Sequence, residues 1–142
     1  MNFEECLKRG KIKEFSQGQF LVQKELATAE KDLLDGQEGL QREKYKWTVI
    51  QSYYAMFHTA RALLYAKNYR EKSHFGLIIA IRHLYVETEE LSVYFIESLQ
   101  KGKDLREDAD YYDDWSKIGA EEMLALAKEF LTKTKEILHK SG

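Results

Sequence analysis

Hydrophobic residues recur along most of the chain at intervals of three and four positions, the spacing of one face of an α-helix. This pattern predicts five helices, at about residues 16–36, 42–66, 73–86, 88–102 and 116–139. Residues 2–9 add at most a short turn. Because most connections are short, consecutive helices are expected to be antiparallel neighbours. We therefore predict an all-α fold, an up-and-down antiparallel bundle of about five helices.

Capping residues set the predicted helix boundaries. Ser16, Ser73 and Thr88 are candidates for N-caps, because a hydroxyl can accept a hydrogen bond from the free amides of a first turn. Gly36 and Gly102 are expected just past helix ends, where glycine readily adopts the left-handed conformation. These signals place each helix within a few residues.

Two stretches depart from a regular amphipathic pattern. The predicted third helix reads HFGLIIAIRHLYV and is apolar nearly all round, which is typical of a central helix or of one at a subunit interface. Residues 103–115, KDLREDADYYDDW, are expected to form a loop before the last helix. That loop would be long for a bundle and rich in polar and aromatic side chains.

Composition supports this architecture and excludes several classes of protein. The 142 residues contain no proline, which suits long helices, and their number allows one domain. We assign that domain to residues 1–142, with its core at about 16–139. The N-terminus has no apolar stretch typical of a signal peptide, and the longest aliphatic run, 77–81, is far too short to span a membrane. We expect a cytoplasmic protein that does not act on membranes.

Metal and thiol chemistry find little support in the sequence. The single cysteine, Cys6, excludes an internal disulfide and a cysteine-based zinc site, and it is expected in a mobile N-terminal segment. Glu-x-x-His occurs at Glu71–His74 and Glu136–His139, but neither copy is predicted inside the bundle, where di-iron carboxylate proteins hold that motif. We expect neither a metal nor a cofactor.

The net charge of −2 conceals an uneven distribution. Residues 61–83 carry five basic residues and one acidic residue, whereas residues 104–122 carry two basic and eight acidic residues. The two segments are either complementary surfaces, which pair within the bundle or across a dimer, or independent solvated surfaces. Alternatively, the basic segment binds phosphate.

A phosphate site is predicted around Arg70, Lys72 and His74. If Ser73 caps the third helix, the free amides of its first turn point toward the same place. Arg61 is a further candidate, because it lies in phase with the apolar face of the second helix. Three positions are open for its side chain: an ion pair with the acids of residues 107–114, a substrate cleft, or extension to solvent.

Three segments together resemble prokaryotic HEPN-domain proteins. Residues 53–64, YYAMFHTARALL, are similar to the signature of the family's second helix. Residues 72–76, KSHFG, resemble the motif that opens the next helix, and residues 106–111, REDADY, resemble an Arg-x-x-Ala-Asp-Tyr stretch before the last helix. The segments occur in the family's order, and the resemblance spans about residues 16–139.

The resemblance implies a HEPN-like helical bundle that forms a homodimer and has a minimal nucleotidyltransferase as its partner. It also implies a toxin–antitoxin pair, since many HEPN proteins are metal-independent ribonucleases neutralised by that partner. Their motif is an arginine followed four to six residues later by a histidine. Here Arg106 matches the arginine, but Tyr111 stands at the histidine position. A phenol is a poor general base at neutral pH, because it ionises only near pH 10.

Three functional hypotheses follow. The first is a nucleotide- or RNA-binding protein that partners a minimal nucleotidyltransferase. The second is an active ribonuclease, in which Arg106 stabilises phosphate charge while His74 or His58 moves protons. The third is a structural adaptor, in which Asp108 or Asp110 satisfies a buried polar network on the second helix.

The candidate site residues fall into three groups. The predicted catalytic residues are Arg106, Tyr111 and His74. The predicted nucleotide- or phosphate-binding residues are Arg61, Arg70, Lys72, Ser73 and His74. The residues predicted to line the cleft are Tyr54, His58 and Asp110.

Overall fold

The computed structural model describes residues 1–141. Its elements in chain order are α1 (Phe3–Lys8), β1 (Ile12–Glu14), α2 (Gly18–Gln41), α3 (Tyr45–Ala66), β2 (Tyr69–Glu71), α4 (His74–Ile81), α5 (Val93–Tyr111) and α6 (Lys117–Ser141). A π-helical turn, Arg82–Val86, continues α4. The predicted all-α bundle is confirmed, with a two-stranded antiparallel ribbon added to it.

Helix α3 lies at the centre of the bundle and packs against α2, α4, α5 and α6. It buries residues on all sides, and Ala55, Met56, Ala60 and Leu63 are completely inaccessible to solvent. Of the two alternatives for the next helix, the central position is therefore wrong, and a position at a subunit interface stays a prediction. Helix α4 buries one side only, and Phe75 in its first turn is 47% exposed.

Helix α2 continues past the glycine expected to end it. Gly36 and Gly39 are both buried inside the helix, where it packs against α3. A Cβ atom at Gly39 would lie 2.9 Å from Oγ1 of Thr48, so the glycine allows the two helices to approach closely. The chain leaves the helix at Glu43, whose φ of 60° is left-handed.

The predicted N-caps have different outcomes. The cap predicted at Ser73 is confirmed, because its Oγ accepts a hydrogen bond of 3.0 Å from the amide of Gly76. The cap predicted at Ser16 is wrong, since α2 begins at Gly18 and has no side-chain cap. Thr88 is also wrong: its hydroxyl donates to the carbonyl oxygen of Leu84, and Ser92 caps the following helix instead.

Helix α5 contains most of the segment predicted to be a loop. Gly102 is buried inside the helix rather than at its end, and residues 103–111 form its last turns. Ion pairs one turn apart, Lys103–Glu107 and Arg106–Asp110, lie along this part of the helix. The loop prediction for 103–115 holds only after Tyr111. Arg106 therefore projects from a rigid helix.

The N-terminal residues are part of the packed structure. Phe3, Cys6 and Ile12 are buried in the hydrophobic core, so the expected mobile segment around Cys6 is wrong. Strand β1 pairs with β2, with Ile12 opposite Glu71 and Lys13 opposite Arg70. No helix in the part of the chain that the structure describes is long and apolar enough to cross a membrane.

Candidate functional site

Arg106 lies at the surface of the bundle between α5 and α3. One guanidinium nitrogen, Nη2, donates a 3.0 Å hydrogen bond to the hydroxyl of Tyr54 and lies 3.3 Å from the carboxylate of Asp110. The Nε atom is buried and has no hydrogen-bond partner in the described part of the chain. A buried donor without a partner is costly, and 20% of the Arg106 side-chain surface is exposed, where an acceptor can reach the guanidinium group.

Three tyrosine rings surround this guanidinium group. Its central carbon lies 5.5 Å from the ring centroids of Tyr54 and Tyr111 and 6.0 Å from that of Tyr53. These distances are typical of cation–π contacts, which orient an arginine without using its N–H groups. Tyr111 is 66% exposed, so one side of the cluster faces solvent.

His74 is close to Arg106 although the two are distant in sequence. Nδ1 of His74 lies 3.2 Å from the hydroxyl of Tyr53, whose ring also contacts Arg106. Burial raises the pKa of Tyr53 to about 12, so this phenol stays protonated at neutral pH. The hydroxyl oxygen can accept a hydrogen bond from Nδ1–H, and in that tautomer the free lone pair of neutral His74 is on Nε2.

The pKa of His74 is lowered, first by burial and then by the nearby ammonium group of Lys103. Both effects disfavour the charged imidazolium. His74 is therefore neutral at pH 7 and chemically able to accept a proton. A side-chain hydrogen bond with Gln100 acts in the opposite direction on this pKa, and the Nε2 atom is buried.

Four of the five predicted phosphate-binding residues lie together. Arg70, Lys72, Ser73 and His74 line a surface pocket of about 340 Å³. The fifth, Arg61, is not in its lining. The four residues come together because they follow one another from the end of β2 into the first turn of α4.

Arg61 forms an ion pair, as one of the three alternatives predicted, but with different partners. Its Nε and Nη2 atoms donate to the two carboxylate oxygens of Glu71, at 3.2 and 2.8 Å. A second carboxylate, that of Glu25, lies 3.8 Å away. The acids of residues 107–114 are not its partners, because Glu71 on the buried face of the ribbon is closer.

His58 belongs to this ion-pair cluster rather than to the Arg106 site. Its Nδ1 atom lies 2.6 Å from Glu25, and Nε2 lies 3.9 Å from Asp32. Of the three residues predicted to line one cleft, Tyr54 and Asp110 both contact Arg106, whereas His58 lies in the other cluster. The structural-adaptor hypothesis expected Asp108 or Asp110 to satisfy His58 and Arg61, but Glu25 and Glu71 do so instead.

The acidic segment 104–122 pairs with its own neighbours rather than with residues 61–83. Lys46 of α3 binds Asp113, and Lys103 of α5 binds Glu107. A further pair joins Lys101 to Glu122. The two oppositely charged segments therefore do not neutralise each other within the chain through these acids.

Several residues around Arg106 and His74, and around Arg61 and His58, were not predicted from the sequence. Tyr53 and Lys103 complete the surroundings of His74, and Glu25 and Glu71 satisfy His58 and Arg61. Tyr53 lies inside the segment that resembles HEPN proteins, so that resemblance was the one available signal for it. The others carry no local signal, because only the packing of distant elements brings them into place.

Comparison with known proteins identifies the class to which this helical bundle belongs. The HEPN domain profile matches residues 22–138. The chain therefore belongs to the HEPN-domain family, as the three sequence segments indicated.

Relatives from two archaea are similar over most of this chain. "Putative toxin MJ0142" of Methanocaldococcus jannaschii is 32% identical over 119 residues, which cover 82% of this chain and 81% of that protein. "Putative toxin MJ0605" of the same organism is 30% identical, with 82% and 88% covered. A "UPF0332 protein" of Archaeoglobus fulgidus is 34% identical, with 80% and 91% covered.

Proposed function

We propose that this HEPN-family protein is a toxin that binds the phosphate groups of RNA through Arg106. The observation that carries the proposal is the state of that guanidinium group. Tyrosine rings orient it, one side opens to solvent beside Tyr111, and its buried Nε donor has no partner among the described residues. Arginine groups with free donors bind phosphate strongly, because planar N–H groups match its oxygens.

A second copy of the chain is part of this proposal. Exposed aromatic and aliphatic side chains lie at the corner between α5 and α6, and all except Trp47 of α3 are close to Arg106 in sequence; Lys46 contacts the rings of both Trp47 and Trp115. They are Trp47, Tyr111, Tyr112, Trp115 and Ile118. An exposed apolar surface of this kind is a common interaction site. A homodimer formed there would bring two Arg106 side chains toward one RNA strand.

A minimal nucleotidyltransferase is the proposed antitoxin partner, and a cytoplasmic location is part of the same proposal. The resemblance to HEPN proteins and the names of the two Methanocaldococcus relatives support a toxin–antitoxin pair. Co-expression of this protein with a nucleotidyltransferase encoded next to it tests the pairing. We expect the two to purify together and the growth of the host to recover.

RNA binding is tested directly with a fluorescein-labelled single-stranded RNA of mixed sequence. We expect Arg106→Gln to weaken binding at least tenfold in fluorescence anisotropy, because the variant lacks the charge that meets the phosphate. Arg42→Gln is the matched control, since Arg42 is an exposed arginine that pairs with Glu38 on another part of the surface. Equal affinity for wild type and Arg106→Gln would refute the proposal.

RNA cleavage is a second candidate function, favoured by the neutral His74 on the other side of Tyr53. In this reaction His74 takes the proton of a ribose 2′-hydroxyl, whose oxygen then forms a bond to the adjacent phosphorus. The bond from phosphorus to the 5′-oxygen breaks, and the imidazolium of His74 returns its proton to that oxygen through solvent water, which restores the neutral imidazole. Arg106 stabilises the added negative charge of the five-coordinate phosphate.

The two candidates are separated by a cleavage assay in EDTA. An active enzyme releases products ending in a 2′,3′-cyclic phosphate, and His74→Gln abolishes their formation while leaving RNA affinity unchanged. If the wild type binds RNA and leaves it intact, the protein acts by binding alone.

A further inference from the structure

The two-stranded ribbon presents an unusual concentration of positive charge on one face. Residues directly opposite each other in an antiparallel pair lie on the same face. Lys13 is opposite Arg70, and the next pair is Lys11 with Lys72, joined by a 2.9 Å hydrogen bond from the Lys72 amide to the Lys11 carbonyl. The outer face of the ribbon therefore carries four cations in two successive pairs.

The opposite face of the ribbon is buried against the bundle. Ile12 and Glu71 point inward, and Glu71 is held by Arg61. The start of β1 lies directly on α4, since a Cβ atom at Gly76 would be 2.4 Å from the Lys11 carbonyl oxygen. We call the four cations the basic ribbon (Lys11, Lys13, Arg70 and Lys72). Their backbone is held in place because the other face of the ribbon packs against the bundle.

The charges of the basic ribbon are not compensated in the chain. Like charges directly opposite each other on a sheet are destabilising. Within residues 1–141 no ion pair is found for any of the four, whereas the acids of 104–122 form ion pairs with Lys46, Lys101 and Lys103. These cations are therefore free to bind an external anion.

Aromatic rings lie between these cations. The ammonium group of Lys11 is 5.9 Å from the ring centroid of Phe75, which is 47% exposed, and the guanidinium of Arg70 is 5.2 Å from that of Phe15. Phe15 is partly buried against the core, so Phe75 is the accessible ring of the two. Cations beside an accessible aromatic ring are typical of surfaces that bind single-stranded nucleic acid, where bases stack while the backbone follows the charges. An acidic protein ligand would pair with the cations alone, so the aromatic contacts favour a nucleic acid.

The basic ribbon is continuous with the proposed RNA site. Arg70 and Lys72 line the same pocket as His74, and His74 contacts Tyr53, which contacts Arg106. We infer that the basic ribbon is a second RNA contact, which holds the single strand that passes over Arg106. This inference rests on the proposed function, because it assigns a path to the same ligand.

The test compares the salt dependence of RNA binding in two double variants. Lys13→Gln combined with Lys72→Gln removes one cation from each pair, and both residues are exposed. Lys117→Gln combined with Lys128→Gln is the matched control, with two exposed lysines of α6. Affinity for a 20-nucleotide single-stranded RNA is measured by anisotropy from 50 to 300 mM KCl, and circular dichroism verifies that each variant is folded.

We expect the ribbon variant to bind RNA at least tenfold more weakly at 100 mM KCl. The negative slope of log affinity against log salt becomes shallower by about 1.4, since each of the two lost phosphate contacts to a single strand contributes about −0.7. The control variant keeps the affinity and slope of the wild type. Unchanged affinity and slope in a folded ribbon variant would overturn the inference.

The outcomes also separate this inference from the proposed function. If Arg106→Gln weakens RNA binding and the ribbon variant does not, the ribbon inference alone fails. If only the ribbon variant loses affinity, RNA binding by the ribbon stands, while the role of Arg106 and the path of the strand over it fail. If the ribbon variant instead converts a dimer to a monomer in sedimentation without changing RNA affinity, the ribbon contacts a second copy of the chain, which also overturns the inference.

Discussion

Two of the three predicted catalytic residues, Arg106 and His74, meet at Tyr53. Its hydroxyl contacts His74 and its ring contacts Arg106, while the high pKa caused by burial keeps it neutral. The histidine expected just after Arg106 is absent from the sequence, and the histidine nearest to this arginine through side-chain contacts comes from the first turn of α4.

The charge state of His74 depends on Lys103. Since the ammonium of Lys103 lowers the pKa of His74, Lys103→Gln is expected to raise it. Loss of Lys103 also frees Glu107, whose carboxylate acts in the same direction. A ¹H–¹⁵N NMR titration of the imidazole measures the change, and Lys117→Gln serves as control. A His74 pKa that stays constant or falls in Lys103→Gln would contradict this assignment.

The pair of Arg61 and Glu71 is the other residue-scale feature that the structure makes testable. Glu71 is 7% exposed, so Arg61→Ala leaves a buried carboxylate without its partner. Such losses cost about 3–5 kcal/mol when the pair is fully buried. Arg61 keeps 23% of its side-chain surface exposed, so we expect about 2–3 kcal/mol.

Urea denaturation of single and double variants measures this coupling. We expect a coupling energy above about 1 kcal/mol between Arg61 and Glu71, and none between Arg61 and Asp110. Arg42→Ala is the control, because exposed pairs contribute about 0–1 kcal/mol. Coupling to Asp110 instead of Glu71 would show that the ion pair is wrongly assigned.

At the scale of the elements, the sequence predicted the helices well and their ends poorly. The apolar spacing located α2, α3, α5 and α6 because one face of each packs against neighbours. Glycines were a misleading stop signal, because Gly36 and Gly102 serve close packing inside helices. Non-glycine residues with positive φ follow the helix ends instead, namely Glu43, Asn68, Glu89 and Asp113.

The site was predictable where its residues are close in sequence. Arg70, Lys72, Ser73 and His74 come together because a strand leads directly into a capped helix. The partner of Arg61 was not predictable, since strands of three residues leave almost no periodic signal and β1 comes from a distant part of the chain. Contacts between distant elements depend on packing, which no local pattern encodes.

The π-helical turn after α4 is held to α3 by one hydrogen bond. The hydroxyl of the buried Tyr85 donates to the carbonyl oxygen of Leu63 at 2.6 Å. We expect Tyr85→Phe to lower the free energy of unfolding by about 1–2 kcal/mol, because a buried acceptor loses its donor. Tyr112→Phe, at a residue that is 76% exposed, should change it by less than about 0.5 kcal/mol. Equal unfolding curves for the two variants would exclude the role given to this bond.

At the scale of the whole molecule, the basic ribbon and the proposed dimer corner belong to different elements. The ribbon is formed by β1, β2 and their flanking residues, with the exposed Phe75 of α4 beside it, whereas Tyr111, Tyr112, Trp115 and Ile118 lie at the corner between α5 and α6. This separation suits a molecule that binds an anion with one surface and a second copy of itself with another. The net charge of −2 therefore says little about the partner.

The proposed dimer is tested by changing its apolar corner. Tyr112→Glu combined with Ile118→Glu puts two charges on side chains that are 76% and 77% exposed, so the isolated fold should tolerate them. We expect sedimentation equilibrium to show a dimer for the wild type and a monomer for this variant. Phe20→Glu, at an 81% exposed residue of α2, is the control and should remain dimeric. A monomeric wild type would contradict the proposed dimer.

The central claim is that the Arg106 guanidinium group contacts RNA phosphate, and NMR of ¹⁵N-labelled arginine side chains tests it most directly. During titration with single-stranded RNA, we predict that the Nε–H resonance of Arg106 shifts and saturates with the binding curve. The resonance of exposed Arg42 should stay in place. If RNA binds and moves other resonances while that of Arg106 does not change, the account of this site is wrong.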